Sequence, residues 1–275
     1  MRGVLDSEFP YVSWNTLATL NDVELRQWGN GVPIVVVPGM TGGGQATLQF
    51  AVRVAHELTA LGKQHRVVLV EFSREAHENL VELQATVRSL LSSELGREPC
   101  ILWTQSFGNL VAPAPGFDDA LVVKRRVMLS PFARLPRFMT WLALVSMLIT
   151  PAFIYRWAAK PLGRLVFGPA GDQPDHVFYR ALAEGEREVA RRRTSWLYRQ
   201  VFDGWFEALN VPTRVFLGQV DHLVNIRKQR AFFERLAREK SQVRFTLVEG
   251  AGHVVTDRQT IERVFAQLLQ WLTLD

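Results

Sequence analysis

Three side chains able to attack a carbonyl or move a proton each follow a short apolar run. Ser106 comes after "CILWTQ", Asp221 lies in "LGQVDHLV", and His253 lies in "EGAGHVV". The first stretch, "CILWTQSFGNL", begins apolar and ends in Ser106, Phe107, Gly108 and beyond. It predicts a strand that turns sharply into a helix with a serine at the apex, where serines attack carbonyl carbons. A serine hydroxyl is a weak nucleophile at neutral pH and needs a base within hydrogen-bond reach. A histidine can be that base, and a carboxylate can orient the histidine. One position departs from the usual turn: Thr104 stands two places before the serine, where a smaller residue is expected.

The elements that must hold these residues follow from the apolar pattern. Asn21-Asp22 is a hairpin signal between two short β-like runs. Buried strands are expected at Ile34–Val37, Arg66–Phe72, Cys100–Trp103, Arg125–Ser130, Thr213–Gly218 and Val243–Gly250. Helical spacing is expected at Thr47–Leu61, Glu78–Leu95, Asn225–Lys240 and Asp257–Leu272, with Gly62 and Gly96 ending the first two. Strand and helix alternate, so the fold class is α/β, a mostly parallel sheet with helices on both faces. Ser106, Asp221 and His253 then fall at strand ends, where open parallel sheets place their sites.

The rhythm breaks between residues 131 and 210. This stretch reads as helices inserted between two core strands, a cap on a core made of 1–130 and 211–275. Within it, Phe138–Tyr155 is 18 residues of nearly unbroken apolar character. That is the lower limit of a membrane span. Pro151 interrupts it, and a span would separate strands of one sheet across a bilayer, so two cap helices are expected instead. Trp141, Leu144, Met147, Leu148 and Phe153 are its candidate substrate-pocket residues. Packing against the main domain is the competing reading, and the same residues can do both.

Composition narrows the class. The chain has 275 residues, 48% of them hydrophobic, and a mean hydropathy of +0.02, as in a folded domain. Its one cysteine, Cys100, rules out an internal disulfide and a cysteine-based metal site. Together with an N-terminal stretch lacking an apolar run, it fits the cytoplasm. The net charge of +5 is local: Phe132–Trp205 holds 11 Lys and Arg against 6 Asp and Glu, and Arg191, Arg192 and Arg193 are its densest point. A solvated helix face is one reading. A surface that attracts anionic lipid or an acidic substrate is the other. No nucleic-acid motif accompanies the charge, so no nucleic-acid partner is expected.

The order Ser, Asp, His, with gaps of 115 and 32 residues and the break in rhythm between the first two, resembles the α/β-hydrolase superfamily over essentially the whole chain. Thr104-Gln105-Ser106-Phe107-Gly108 is similar to the nucleophile elbow except at its first position. Pro38-Gly39-Met40 is similar to the turn after the first buried strand, with Pro38 in place of a histidine. Gly218 through Val224 is similar to the acid loop, and Gly250-Ala251-Gly252-His253 to the loop that carries the base. The resemblance implies Ser106 as nucleophile, His253 as general base and acid, and Asp221 as the orienting acid. It implies backbone N–H donors to the oxyanion from Met40 and Phe107, though the turn could place Thr41 there instead. Glu71, at another strand end, is the rival acid. His56, His65, His77 and His176 are the rival bases, expected on helices, at a strand start or in the cap. The glycines of "GMTGGG" are followed by no Lys-Ser/Thr pair, so they do not form a phosphate loop.

A serine rather than an aspartate at the elbow implies an acyl-enzyme. With an apolar cap, the expected substrate is a small-molecule carboxylic ester with a medium or long acyl chain. No metal and no cofactor are called for, and the basic, apolar cap suggests peripheral contact with an anionic membrane. Two alternatives stay open. One is other acyl-enzyme chemistry: thioester or carbon–carbon bond hydrolysis, or acyl transfer. The other is a partner-binding protein, since "VPGMTGG" and "PAFIYRWAAKPLGRLVFG" faintly resemble maspardin-type proteins.

Overall fold

A computed structural model describes residues 14–40, 45–72, 77–138, 140–141, 144–145, 187–198, 200–253 and 258–273. Strands β1 (Asn15–Leu20) and β2 (Val23–Gly29) form the expected hairpin. Asn21 and Asp22 both take positive φ, 46° and 59°, as a two-residue turn between right-twisted strands requires. Then come β3 (Val32–Val37), α1 (Gln45–Ala60), β4 (His65–Glu71), α2 (Leu80–Leu95) and β5 (Pro99–Gln105). Short helices α3 (Gly108–Val111) and α4 (Ala114–Ala120) lead to β6 (Val122–Leu129). After α5 (Arg187–Leu197) and α6 (Asp203–Glu207) the alternation resumes with β7 (Thr213–Gly218), α7 (Ile226–Glu239), β8 (Val243–Val248) and α8 (Arg258–Thr273).

The eight strands lie in the order β1-β2-β4-β3-β5-β6-β7-β8. The first two pairings are antiparallel and the other five parallel. The central strands are buried on both faces, which is why they read as unbroken apolar runs. Val35, Val37, Cys100 and Leu102 point into the layer that α2 and α7 cover. Ile34, Val36, Ile101 and Trp103 point into the layer beneath α1 and α8. β3 leads into α1 on one face while β5 leads toward the other, so the loops after these neighbouring strands part and leave a crevice.

Two details have local causes. α2 starts later than its apolar spacing suggests because Asn79 caps it, its side chain accepting the Glu82 N–H at 3.0 Å. The Glu82 carboxylate in turn accepts the Glu78 N–H at 2.7 Å. Arg126, wholly buried in β6, pairs with Asp118 and donates to the Ala112 carbonyl at 2.7 Å, tying α3 and α4 to the sheet. Cys100 is buried, and burial pushes its thiol up to about 12, so it packs and does not react.

Most of Phe138–Tyr155 lies outside the described residues, as do Met147, Leu148 and Phe153. Among the described residues no helix is long and apolar enough to cross a membrane. The ends of the long segment between β6 and β7 are fastened together. Arg134 bridges to Val201 and pairs with Asp203, and the Gln229 amide bonds the Ala133 N–H and the Arg134 carbonyl. Neither surface reading of the arginine run holds for Arg193. Its side chain is fully buried, while Arg191 pairs with Glu188.

Candidate active site

β5 ends at Gln105, and Ser106 turns the chain into α3 with φ 49°. A left-handed conformation costs a non-glycine residue roughly 1–2 kcal/mol, so the neighbourhood must hold it. The Ser106 N–H donates to the Leu129 carbonyl at 2.9 Å. Asn109, buried one turn on, donates from Nδ2 to the Ser106 carbonyl at 2.9 Å and to the Leu129 carbonyl at 3.2 Å. Its Oδ1 accepts the Thr104 hydroxyl at 2.6 Å. The departure at Thr104 is therefore functional in the packing: its hydroxyl orients the amide that braces the turn. Gly108 completes the crossing, since a Cβ there would meet the Val37 and Pro38 carbonyl oxygens at 2.3 and 2.4 Å.

The other two side chains come from loops after β7 and β8. These loops interlock: Gln219 N–H donates to Val248 O at 3.0 Å, and Val220 N–H to Ala251 O at 2.9 Å. Asp221 is buried, with Oδ1 accepting the Leu223 N–H at 2.9 Å. Its Oδ2 lies 2.6 Å from His253 Nδ1, and His253 Nε2 lies 2.7 Å from Ser106 Oγ. An ionised carboxylate only accepts, so Nδ1 carries a proton and, in the neutral ring, Nε2 accepts from the serine hydroxyl. All three side chains are largely buried, and the Phe132 ring neighbours the imidazole, tilted by 38° with ring centroids 6.5 Å apart. The arrangement can draw the proton from Ser106 Oγ into a ring whose developing charge faces a carboxylate.

Beside the serine, a Cβ on Gly39 would stand 3.5 Å from Ser106 Cβ, so the turn after β3 abuts the apex. Among the described residues the N–H groups of Met40 and Phe107 have no hydrogen-bond partner. Phe107 directly follows Ser106, and Met40 directly follows Gly39, the residue that abuts it. Thr41 lies outside the described residues, as does His176.

The rivals stand elsewhere. Glu71 pairs with Arg26 across the antiparallel edge. His56 sits in α1 beside Trp28, and His65 opens β4. His77 is on the loop before α2 rather than on a helix or a strand; its Nε2 meets Thr86 Oγ1 at 3.1 Å. Trp141 is about half exposed and stacks on Phe138, while Leu144 is partly buried. Two contributors escaped sequence reasoning. An asparagine three residues after the apex serine, in an otherwise apolar stretch, is the readable signal for Asn109. Arg193, whose guanidinium reaches the Met40 carbonyl, gave none, because its partner is remote in sequence.

Among the described residues no group of His, Cys, Asp and Glu could hold a metal ion. Comparison with curated proteins finds no match. Among solved structures, an esterase from Exiguobacterium antarcticum superposes with a TM-score of 0.72 at 12% identity, covering 91% of this chain and 95% of that one. An esterase from Rhodococcus sp. gives 0.68 at 17%, over 95% and 99%. A bromoperoxidase from Bacillus anthracis gives 0.72 at 16%, over 96% and 100%. At such identities the likeness is one of fold. A family model described as "Alpha/beta hydrolase family" matches residues 34–267. That match spans most of the chain, and this protein belongs to the alpha/beta hydrolase family.

Proposed function

We propose that the protein is a serine hydrolase that cleaves carboxylic esters with apolar acyl chains through an acyl-enzyme. The observation that carries this reading is the continuous hydrogen-bonded chain from Ser106 Oγ through His253 to Asp221, at 2.7 and 2.6 Å. Ser106 Oγ adds to the ester carbonyl carbon as its proton passes to His253 Nε2. The carbonyl π electrons move onto oxygen, and the N–H groups of Met40 and Phe107 stabilise the oxyanion. The oxyanion collapses, the bond to the alkoxy group breaks, and His253 returns the proton to the departing alcohol. Water then repeats the sequence on the acyl-serine and releases the acid. Asp221 stays ionised and holds the ring's tautomer throughout.

An apolar acyl group suits the described surroundings. Met40 is partly buried against apolar residues, Phe132 neighbours His253 at 6.5 Å, and Trp196 lies 6.4 Å from Phe107 between ring centroids. In this reading residues 131–210 form a helical cap. The exposed, stacked Phe138 and Trp141 give it an apolar face suited to lipid.

Incubation with p-nitrophenyl esters of increasing chain length should give turnover that rises from acetate toward the medium-chain esters. A fluorophosphonate should label one serine per chain. Absence of ester turnover with full labelling would move the assignment to thioester, carbon–carbon or acyl-transfer chemistry at the same serine. Absence of both in the folded protein would leave a binding role.

A further inference from the structure

Arg193 is among the largest wholly buried side chains in the protein, yet it comes from α5, in the segment joining β6 to β7. One terminal nitrogen donates to the carbonyl of Met40 and the other to the carbonyl of Phe72. The guanidinium also lies 4.9 Å from the centroid of the Phe72 ring and 5.8 Å from that of Phe107. A buried cation is costly unless acceptors and ring faces replace its water. Among them here are groups of residues that follow β3, β4 and β5. Two of these residues, Met40 and Phe107, carry the N–H groups to which the proposed mechanism assigns the oxyanion.

The turn after β3 needs an outside hold. Its described residues are Pro38, Gly39 and Met40, and the glycine directly before Met40 leaves the chain's direction into that residue weakly set by the chain itself. A hydrogen bond to the Met40 carbonyl fixes the peptide plane that follows Met40. Its N–H lies in the plane before, joined through the same Cα, so the hold on the N–H is indirect, through the limited displacement of the Met40 backbone. A planar fork is suited to this because two fixed N–H directions engage two carbonyls at once.

We propose that Arg193 is a positioning residue for the oxyanion site: it fixes Met40 from its carbonyl side and braces Phe107 through its ring. This rests on the acyl-enzyme reading given above. It goes further in making the site complete only when α5 is docked on the core. Arg193 itself touches no reacting atom.

The test compares wild type with Arg193→Met, Arg193→Gln and Arg193→Lys on a p-nitrophenyl butyrate assay. Rates are expressed per active site titrated to completion with a fluorophosphonate, which removes any misfolded fraction. A trifluoromethyl ketone, whose hemiketal oxygen occupies the oxyanion position, gives a second readout. Arg193→Met is expected to lower kcat about 100-fold, the scale of losing one oxyanion donor, with KM changed by less than about threefold. Affinity for the ketone should fall in parallel. Arg193→Lys, which keeps the charge but not the fork, should recover part of kcat. Unchanged kcat per titrated site, or a rise in KM alone, would overturn the positioning role while leaving the acyl-enzyme reading intact. If Arg193→Met does not fold, the Gln and Lys variants decide by the same criteria. A wild type that neither turns over the ester nor takes the probe overturns both.

Discussion

Ser106→Ala should lower kcat on p-nitrophenyl esters by about 10⁵-fold or more, the scale of losing the nucleophile from a serine–histidine–carboxylate unit. The variant keeps the backbone, the N–H groups and the packing, and removes one oxygen. That oxygen makes the 2.7 Å contact to His253 and is the atom that would carry the acyl group. In the proposed mechanism the three residues share one proton transfer, so the losses should not be additive. Ser106→Ala combined with His253→Ala should be no slower than Ser106→Ala alone. Asp221→Asn should cost about 10⁴-fold through the wrong histidine tautomer. Stepwise, additive losses across the set would show that the three do not act as a unit. Ser106→Gly gives an internal control on strain. It should be equally inactive, yet it relieves the φ of 49° and should melt above Ser106→Ala despite the loss of a Cβ.

Gly218→Ala is expected to destabilise the fold by about 3 kcal/mol or more, toward the upper end for overpacking. It should lower the melting temperature by roughly 6–12 °C in a domain of this size. The added carbon would sit 1.9 Å from the Gly252 carbonyl oxygen and 2.5 Å from that of Ala251. Both are backbone atoms, so no rotamer change relieves the clash, and the loops after β7 and β8 must part. Those loops carry Asp221 and His253, whose 2.6 Å contact depends on their spacing. Activity should therefore fall at temperatures where the variant is still folded. Gly204→Ala in α6 is the matched control: a Cβ added there meets nothing within 4 Å, and alanine favours the helix by up to about 1 kcal/mol. Equal melting shifts in the two variants would contradict this account.

The sheet is readable in the sequence because β3, β4 and β5 are buried on both faces and so appear as apolar runs. Their order is not readable. β3 lies between β4 and β5, and no periodicity records that α2 crosses over a strand. The outermost strand β1 is largely exposed, so only its turn residues announce it. Ser106, Asp221 and His253 are legible because their types are chemical and their positions follow strands. Thr104 is legible as an irregularity but not as a partner of Asn109, since a side-chain hydrogen bond leaves no pattern. Arg193 misleads for a sharper reason. Three successive arginines on a helix suggest solvent, and only the packed fold shows that one of them points at a carbonyl 153 residues away.

That reach has a thermodynamic side. In the proposed role of Arg193, the free energy with which a docked α5 stabilises Met40 in its working orientation is one quantity, shared by two equilibria. Whatever holds α5 down makes the oxyanion site easier to present. By reciprocity, charge arriving at that site tightens the hold on α5. An ester lying in the crevice with its carbonyl unengaged would draw no such response, while a tetrahedral adduct would. The helix would then register the making of a bond rather than the presence of a substrate, and would bind most firmly at the moment when water is least welcome.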